Sequence, residues 1–254
     1  TMVANAGQRA VLQFTSGSTG APRAVVWSHA TLTRAADHLQ QMFGFVSEDR
    51  HALLTPLTVA SALAQVLAVL RAGAELHLCE ARKCDARTLG ARLREGITTL
   101  QTIPSVFRML ARSGGGLGPS LRAIKLGGEP VTPLDARLFV EHAPDDALLI
   151  NGLGVTEAGF NVCWQGLRKR DLAPGSEVPL GRAPPGVMLT IEEGELHVAS
   201  HDLAEGYWRD EEATRLRYRD DPMRPDYRVL RTGDLVEAAE DGTLRYVGRA
   251  DDRI

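Results

Sequence analysis

Between residues 51 and 153 short apolar runs alternate with amphipathic segments, and this rhythm restricts the fold more than any other feature of the chain. His51–Pro56, Glu75–Cys79, Thr98–Ile103, Leu121–Leu126 and Ala147–Leu153 have strand length, whereas Ala60–Arg71, Ala86–Glu95, Val106–Ala111 and Pro133–His142 read as the segments between them. Strand–helix–strand alternation implies parallel pairing, because each crossover carries the chain back to the same end of the sheet. The expected fold class is therefore α/β, a mainly parallel sheet with flanking helices. Ligands gather beyond the carboxyl ends of such strands. Gly127-Gly128-Glu129 and Gly154-Val155-Thr156-Glu157 fall there, so the two segments can face one crevice.

After about Pro179 the pattern changes to short alternating runs, Val187–Ile191, Glu195–Ala199, Arg228–Arg231, Leu235–Ala238 and Leu244–Val247, separated by Gly and Asp turns. These predict a small antiparallel sheet or barrel, dividing the chain into an α/β part at 1–178 and a β subdomain at 179–247. Gly114–Pro119 reads as a flexible connection, and the charge-rich stretch Asp210–Arg224 as a solvated helix or loop face.

One loop points to chemistry. Thr15-Ser16-Gly17-Ser18-Thr19-Gly20-Ala21-Pro22-Arg23 follows the apolar run Ala10–Phe14 and joins hydroxyls, glycines and a cation. Glycines let backbone N–H groups approach a phosphate, hydroxyls add short donors, and Arg23 supplies a fixed, forked charge. The loop suits polyphosphate. It is not the G-x-x-x-x-G-K-[ST] loop, because Ala21-Pro22-Arg23-Ala24 follows Gly20, and it is not the nucleophile elbow G-x-S-x-G, because Ser16 stands where that motif needs glycine.

Composition removes several classes. Hydrophobic residues make up 44% and charged residues 24% of 254, which is ordinary globular usage, so neither disorder nor a membrane protein is favoured. The net charge of −3, with no long run of either sign, disfavours nucleic-acid binding through a basic field. The apolar region Val59–Leu70 is too short for a bilayer and is broken by Ser61 and Gln65; no signal peptide is visible at the start. Three cysteines, Cys79, Cys84 and Cys163, form no C-x-x-C pair, and we read them as reduced thiols in a cytoplasmic protein.

Six separated motifs then agree with one family. They are Thr15–Arg23 with Ser28-His29 behind it, Gly127-Gly128-Glu129, Asn151–Glu157, Gly206-Tyr207-Trp208, Arg231-Thr232-Gly233-Asp234 and Gly248-Arg249-Ala250-Asp251. In that order they resemble the adenylate-forming, or AMP-binding, superfamily: acyl-CoA synthetases, adenylation domains of nonribosomal peptide synthetases, fatty acyl-AMP ligases and luciferases. The resemblance implies that a carboxylic acid attacks the α-phosphate of Mg²⁺-ATP, giving an acyl-adenylate and pyrophosphate. Transfer to a coenzyme A thiol or an acyl or peptidyl carrier protein follows. It implies that Thr15, Ser16, Gly17, Ser18, Thr19, Gly20 and Arg23 hold the β- and γ-phosphates, that Thr156 bonds the α-phosphate and that Glu157 ligates Mg²⁺. Gly127, Gly128, Glu129, Asn151, Gly152 and Leu153 would frame the adenine, Asp234 would accept from the ribose hydroxyls, and Tyr246 and Arg249 would lie near ribose and phosphate.

The same resemblance places Ala60, Ser61, Ala64, Thr102, Lys125, Gly127 and Gly152 in the acid pocket. Ala60 stands where amino-acid-activating members carry an aspartate for the α-ammonium, so an ordinary α-amino acid is disfavoured. The small residues suit a bulky or long acyl chain. Lys125 reads either as a partner for an anionic substrate group or, the favoured reading, as a solvated strand-end lysine. Arg23 replaces the family's usual Lys, and Leu153 replaces an aromatic that would stack on adenine. The resemblance starts at the phosphate loop and reaches a hinge at 248–254, so a central fragment of a larger domain is expected, completed by missing N- and C-terminal parts or by a partner chain. The competing reading is a noncatalytic nucleotide-binding or scaffolding fragment; a kinase lacks its motifs here.

Overall fold

The computed structural model describes residues 5–15, 22–79, 85–173, 175 and 177–250. The phosphate-loop residues Ser16–Gly20, Cys84 and Asp251 lie outside these. The described chain begins with strands β1 (Arg9–Thr15) and β2 (Arg23–Ser28), which pair antiparallel, and β2 runs directly into helix α1 (His29–Phe43). Ser28 caps that helix by accepting from Thr31 N at 3.1 Å, and Gly44, in the left-handed conformation at φ 55°, ends it.

The expected alternation follows: β3 (Arg50–Leu53), α2 (Ala60–Arg71), β4 (Glu75–Leu78), α3 (Ala86–Arg94), β5 (Thr99–Thr102), α4 (Pro104–Arg112), β6 (Ala123–Leu126), α5 (Pro133–His142) and β7 (Leu148–Val155). One further strand, β8 (Phe160–Arg168), completes a six-stranded sheet in the order β4-β3-β5-β6-β7-β8, parallel except for β7–β8. Both faces of this sheet are covered, so alternate residues of one strand enter different cores. Ala123 and Ile150 pack with Leu39, Phe43, Ala64 and Ala68 of α1 and α2, whereas Ile124, Leu126 and Leu149 pack with Leu89, Phe107 and Phe139 of α3, α4 and α5. Each fully buried Leu, Ile or Phe contributes roughly 1.5–3 kcal/mol. Gln65, which interrupts the apolar run of α2, is fully buried and bonds His51 Nε2 at 3.1 Å, while His51 Nδ1 meets Thr99 Oγ1 at 2.9 Å.

The C-terminal part is antiparallel, as expected. Strands β9 (Val187–Glu192), β10 (Glu195–Ser200), β12 (Tyr218–Asp220), β13 (Arg228–Ala238) and β14 (Leu244–Arg249) form one sheet, and β11 (Gly206–Tyr207) joins β2 in another. Arg228–Arg231 and Leu235–Ala238, expected as two strands, are one strand with a bulge between them. The helix α6 (Glu211–Arg217) occupies the charge-rich stretch, capped by Asp210, which accepts from Ala213 N at 3.0 Å. The Gly114–Pro119 connection is packed down: Leu117 is buried and its N–H donates to His142 O. Among the described residues no helix is long and apolar enough to cross a membrane.

One buried charge pins the amino ends of the central strands. Asp49, 2% exposed, accepts from Arg122 Nε at 2.7 Å and Nη2 at 2.5 Å, from Thr98 Oγ1 at 2.6 Å and from Val46 N at 2.9 Å. Burial works to raise its pKa, but the Arg122, Thr98 and Val46 hydrogen bonds outweigh that and hold the carboxyl below its usual range. Arg122→Leu is expected to lower unfolding stability by about 2–3 kcal/mol at neutral pH, since it strands a buried carboxylate. The folded pKa is the lower one, so this stability is present above the unfolded-state value and lost as pH falls through the folded one. Urea titrations of parent and variant should therefore converge in acid; a pH-independent difference would assign the loss to packing alone.

Candidate functional site

A cleft of about 1030 Å³ opens at the carboxyl ends of β6 and β7. It brings together Thr15, Arg23, Ala60, Gly128, Glu129, Asn151, Gly152, Leu153, Thr156, Glu157, Asp234, Tyr246 and Arg249 of the residues singled out in the sequence. Thr15 and Arg23 are register partners where β1 and β2 begin to diverge, so both reach it from the same hairpin.

The turn Thr156–Gly159 between β7 and β8 is its most heavily supported part. Trp27 Nε1, from β2, donates to Thr156 O at 2.9 Å; Tyr218 OH, from β12, donates to Glu157 O at 2.8 Å; and Tyr207 OH, from β11, donates to Glu157 Oε1 at 2.9 Å. Gly159, at φ 89°, lies so close to Thr31 of α1 that a Cβ would stand 2.1 Å from its Cγ2. The Arg23 guanidinium sits 5.4 Å from the Tyr207 ring centroid, within cation–π range. Burial, and then the Glu157 charge, push the Tyr207 phenol up to about 12, so it stays a donor. No described residue bonds Glu157 Oε2, which leaves that oxygen for a cation. Among the described residues no cluster of three His, Cys, Asp or Glu is arranged to hold a metal alone. A magnesium ion held by one carboxylate and by phosphate oxygens fits this donor set.

Asp234 is aimed by the bulge in β13. Glu195 pairs with Leu235 but His197 with Arg231, so extra residues of β13 loop out around Gly233, at φ 76°. Glu195 fixes the bulge by accepting from Gly233 N at 2.9 Å and Arg231 Nη2 at 2.8 Å, and Thr232 Oγ1 donates to Leu196 O at 2.7 Å. A Cβ at Gly233 would stand 2.8 Å from Arg217 Nη1 and 2.9 Å from Arg249 Nη2. Asp234 then accepts from Arg249 Nη1 at 3.0 Å, yet burial dominates and raises its carboxyl above the usual range.

The residues expected to frame adenine divide between those that line the cleft and those whose side chains make structural bonds. Glu129 turns its carboxylate to Ser105 N at 2.9 Å and Ser105 Oγ at 2.8 Å, capping α4. Asn151 donates to Val178 O and Pro179 O, both at 3.0 Å, tying that segment over the cleft. Gly128, at φ 83°, and Leu153 remain in the lining. Of the acid-pocket residues, Ser61, Ala64, Thr102, Lys125 and Gly127 do not line the cleft. Ala64 is buried on the α2 face, whereas Thr102 pairs with Leu126 and so belongs to the opposite face of the sheet. Lys125 is not a solvated strand-end lysine: it is 3% exposed, and burial pulls its ammonium down to about 8.

Sequence reasoning gave no role to Tyr207, Tyr218, Trp27 or Gln101. Tyr207 stood inside a recognised motif, but Tyr218 lies 61 residues from its partner Glu157, and no local signal marks it. Gln101 was legible by period: it pairs with Lys125, one position from Thr102.

With this geometry in view, the chain was compared with known proteins. A family model described as AMP-binding enzyme matches residues 2–208. Tyrocidine synthase 3 of Brevibacillus parabrevis is 31% identical over 269 residues, covering 99% of this chain and 4% of the relative. Isonitrile lipopeptide synthase of Streptomyces coeruleorubidus is 31% identical over 244 residues, covering 93% and 16%. The chain thus spans a small part of these relatives. Among solved structures, CmiS6 is 28% identical with a TM-score of 0.85, covering 96% of this chain and 62% of that one. The N-terminal subdomain of Klebsiella oxytoca NpsA, in complex with 3-hydroxybenzoyl-AMSN, is 25% identical with a TM-score of 0.81, covering 98% and 66%.

The Tyr207–Glu157 bond generates a measurable expectation. Hydrogen bonds to a charged group contribute about 1.5–3 kcal/mol, so a double-mutant cycle of Tyr207→Phe and Glu157→Gln should show a coupling of roughly 1–2 kcal/mol in urea unfolding. Strictly additive losses would mean that the phenol does not hold the carboxylate.

Proposed function

The chain belongs to the AMP-binding enzyme family, and from that premise we propose that it supplies the ATP- and acid-binding part of an acid–AMP ligase. The observation that carries this reading is the presence, in one cleft, of two differently prepared carboxylates: Glu157 held by a buried phenol and Asp234 held by Arg249. In the proposed reaction an oxygen of the substrate carboxylate attacks the α-phosphorus of ATP, the bond to the bridging oxygen breaks, and pyrophosphate leaves. Thr15 and Arg23, with the loop residues Ser16–Gly20, neutralise the charge that develops on the leaving group. Thr156 meets the α-phosphate, Asp234 takes the ribose hydroxyls, and Tyr246 and Arg249 complete the nucleotide side.

Glu157 would hold Mg²⁺, which when bound supplies positive charge between phosphate oxygens. The acid would enter past Ala60 toward Gly127 and Gly152, where the absence of a carboxylate at Ala60 disfavours an α-ammonium. The acceptor in this proposal is the thiol of a carrier protein or of coenzyme A, and the setting is cytoplasmic. Similarity to isonitrile lipopeptide synthase supports a place in a larger synthetase, and the 3-hydroxybenzoyl-AMSN named for NpsA supports a pocket for an acyl group. The division into 1–178, 179–247 and a hinge at 248–254 belongs to the same proposal.

The test is acid-dependent ATP–pyrophosphate exchange by the full-length protein with fatty, aryl and amino acids. Glu157→Gln is expected to reduce exchange by about 100-fold or more, while Asp234→Ala raises the KM for ATP by roughly 10-fold through loss of charge-assisted bonds. A folded protein that binds ATP but exchanges with no acid would instead establish the noncatalytic nucleotide-binding module.

A further inference from the structure

Lys125 lies in the middle of the parallel sheet, 3% exposed, and no described residue gives its Nζ a hydrogen bond or an ion pair. Burial alone pulls the ammonium down, with no carboxylate acting against it. A charge buried without a partner is costly, and a methionine of similar shape would stabilise this position better. Local rules broken in this way mark sites where a ligand completes what the fold omits.

The surroundings identify the ligand chemistry. Gln101, Lys125 and Ile150 are register partners across β5, β6 and β7, so their side chains share one face of the sheet. Ile150 packs with Ala64 and Ala68, which makes this the face covered by α2. Gln101 Oε1 is buried without a partner. Trp164, paired with Gly152, carries a second such atom, its indole Nε1. Two buried polar atoms on the face that carries Lys125 thus lack partners among the described residues. A Cβ on Gly127 would stand 3.1 Å from Lys125 Nζ and 3.0 Å from Gly152 O, and Gly152 lines the cleft beside Ala60.

We propose that Lys125 receives a second, anionic group of the acid substrate, so that the preferred substrate is a carboxylic acid bearing another carboxylate or similar charge at its far end. This rests on the acid-adenylating reading above. The four residue-to-residue steps from Gly152 to Thr156 span at most roughly 13 Å, which limits the distance between the two acidic ends. The second charge forms the ion pair that the protein does not supply, and it enters past small side chains.

The experiment compares adipic, suberic and terephthalic acids with their monomethyl esters, and with octanoic acid, in ATP–pyrophosphate exchange by the full-length protein. At least one diacid should exceed its monoester by about ten-fold or more in kcat/KM, and Lys125→Met should abolish or invert that preference without changing the KM for ATP. A second readout is independent of catalysis: Lys125→Met should raise the Tm of the unliganded protein and remove the Tm increase that the preferred diacid produces. Equal use of diacids and monoesters by the parent protein overturns the assignment, as does an unchanged preference in the variant. Exchange with octanoic acid or the monoesters but no diacid overturns it while leaving the adenylation reading intact. Exchange with no acid at all removes that underlying reading and this one with it.

Discussion

Three sheets meet at one turn, and the hydrogen bonds that fasten Thr156 and Glu157 are the contacts on which the rest of the cleft depends. Trp27 arrives from the N-terminal hairpin sheet, which also contributes Tyr207 through β11, and Tyr218 arrives from the C-terminal antiparallel sheet. The turn itself belongs to the six-stranded sheet. Because these donors come from far apart in sequence, Glu157 can occupy its position only when all three sheets have docked. A carboxylate held this way is preorganised: it is oriented by groups that are themselves packed, so little freedom is left to its side chain.

The electrostatics of the two walls differ for the same physical reason, which is unequal burial and pairing. Asp234 is forced inward by a bulge that Glu195 and Thr232 stabilise, and burial raises its pKa despite Arg249. Asp49, at the other end of the sheet, is more fully bonded, and its pKa falls. The first arrangement leaves capacity for further hydrogen bonds; the second leaves none of consequence. Lys125 extends this contrast to a cation that no described residue bonds. The carboxylate at the amino ends of the strands is therefore satisfied internally, whereas polar groups toward the carboxyl ends keep unused hydrogen-bonding capacity among the described residues.

Much of the fold was readable from periodicity. The limits of α2 and α5 follow directly from apolar spacing and, for α5, from Pro133 at its first turn. Strand β8 escaped because Phe160–Arg168 follows a polar turn and pairs antiparallel, outside the strand–helix rhythm. The single strand β13 was read as two because Thr232-Gly233-Asp234 looks like a turn in sequence, whereas Glu195, across the sheet, holds it as a bulge. The site was legible where its residues sit in compact motifs. It was not legible where a single side chain such as Tyr218 acts across the fold, and the choice of Thr102 over Gln101, an error of one residue, is enough to change faces in a strand.

By itself, then, the sequence determined the α/β class, the strands whose carboxyl ends bear Gly127–Glu129 and Gly154–Glu157, and the family that those motifs resemble, because these depend on local period and on contiguous residues. Only the tertiary structure decided that Tyr207 holds Glu157, that a bulge aims Asp234, and that Lys125 is buried, with no partner among the described residues, instead of solvated. Pairing, burial and the direction of a side chain are set by neighbours from distant segments, and a free-energy cost such as an unpaired ammonium exists only once those neighbours have excluded water.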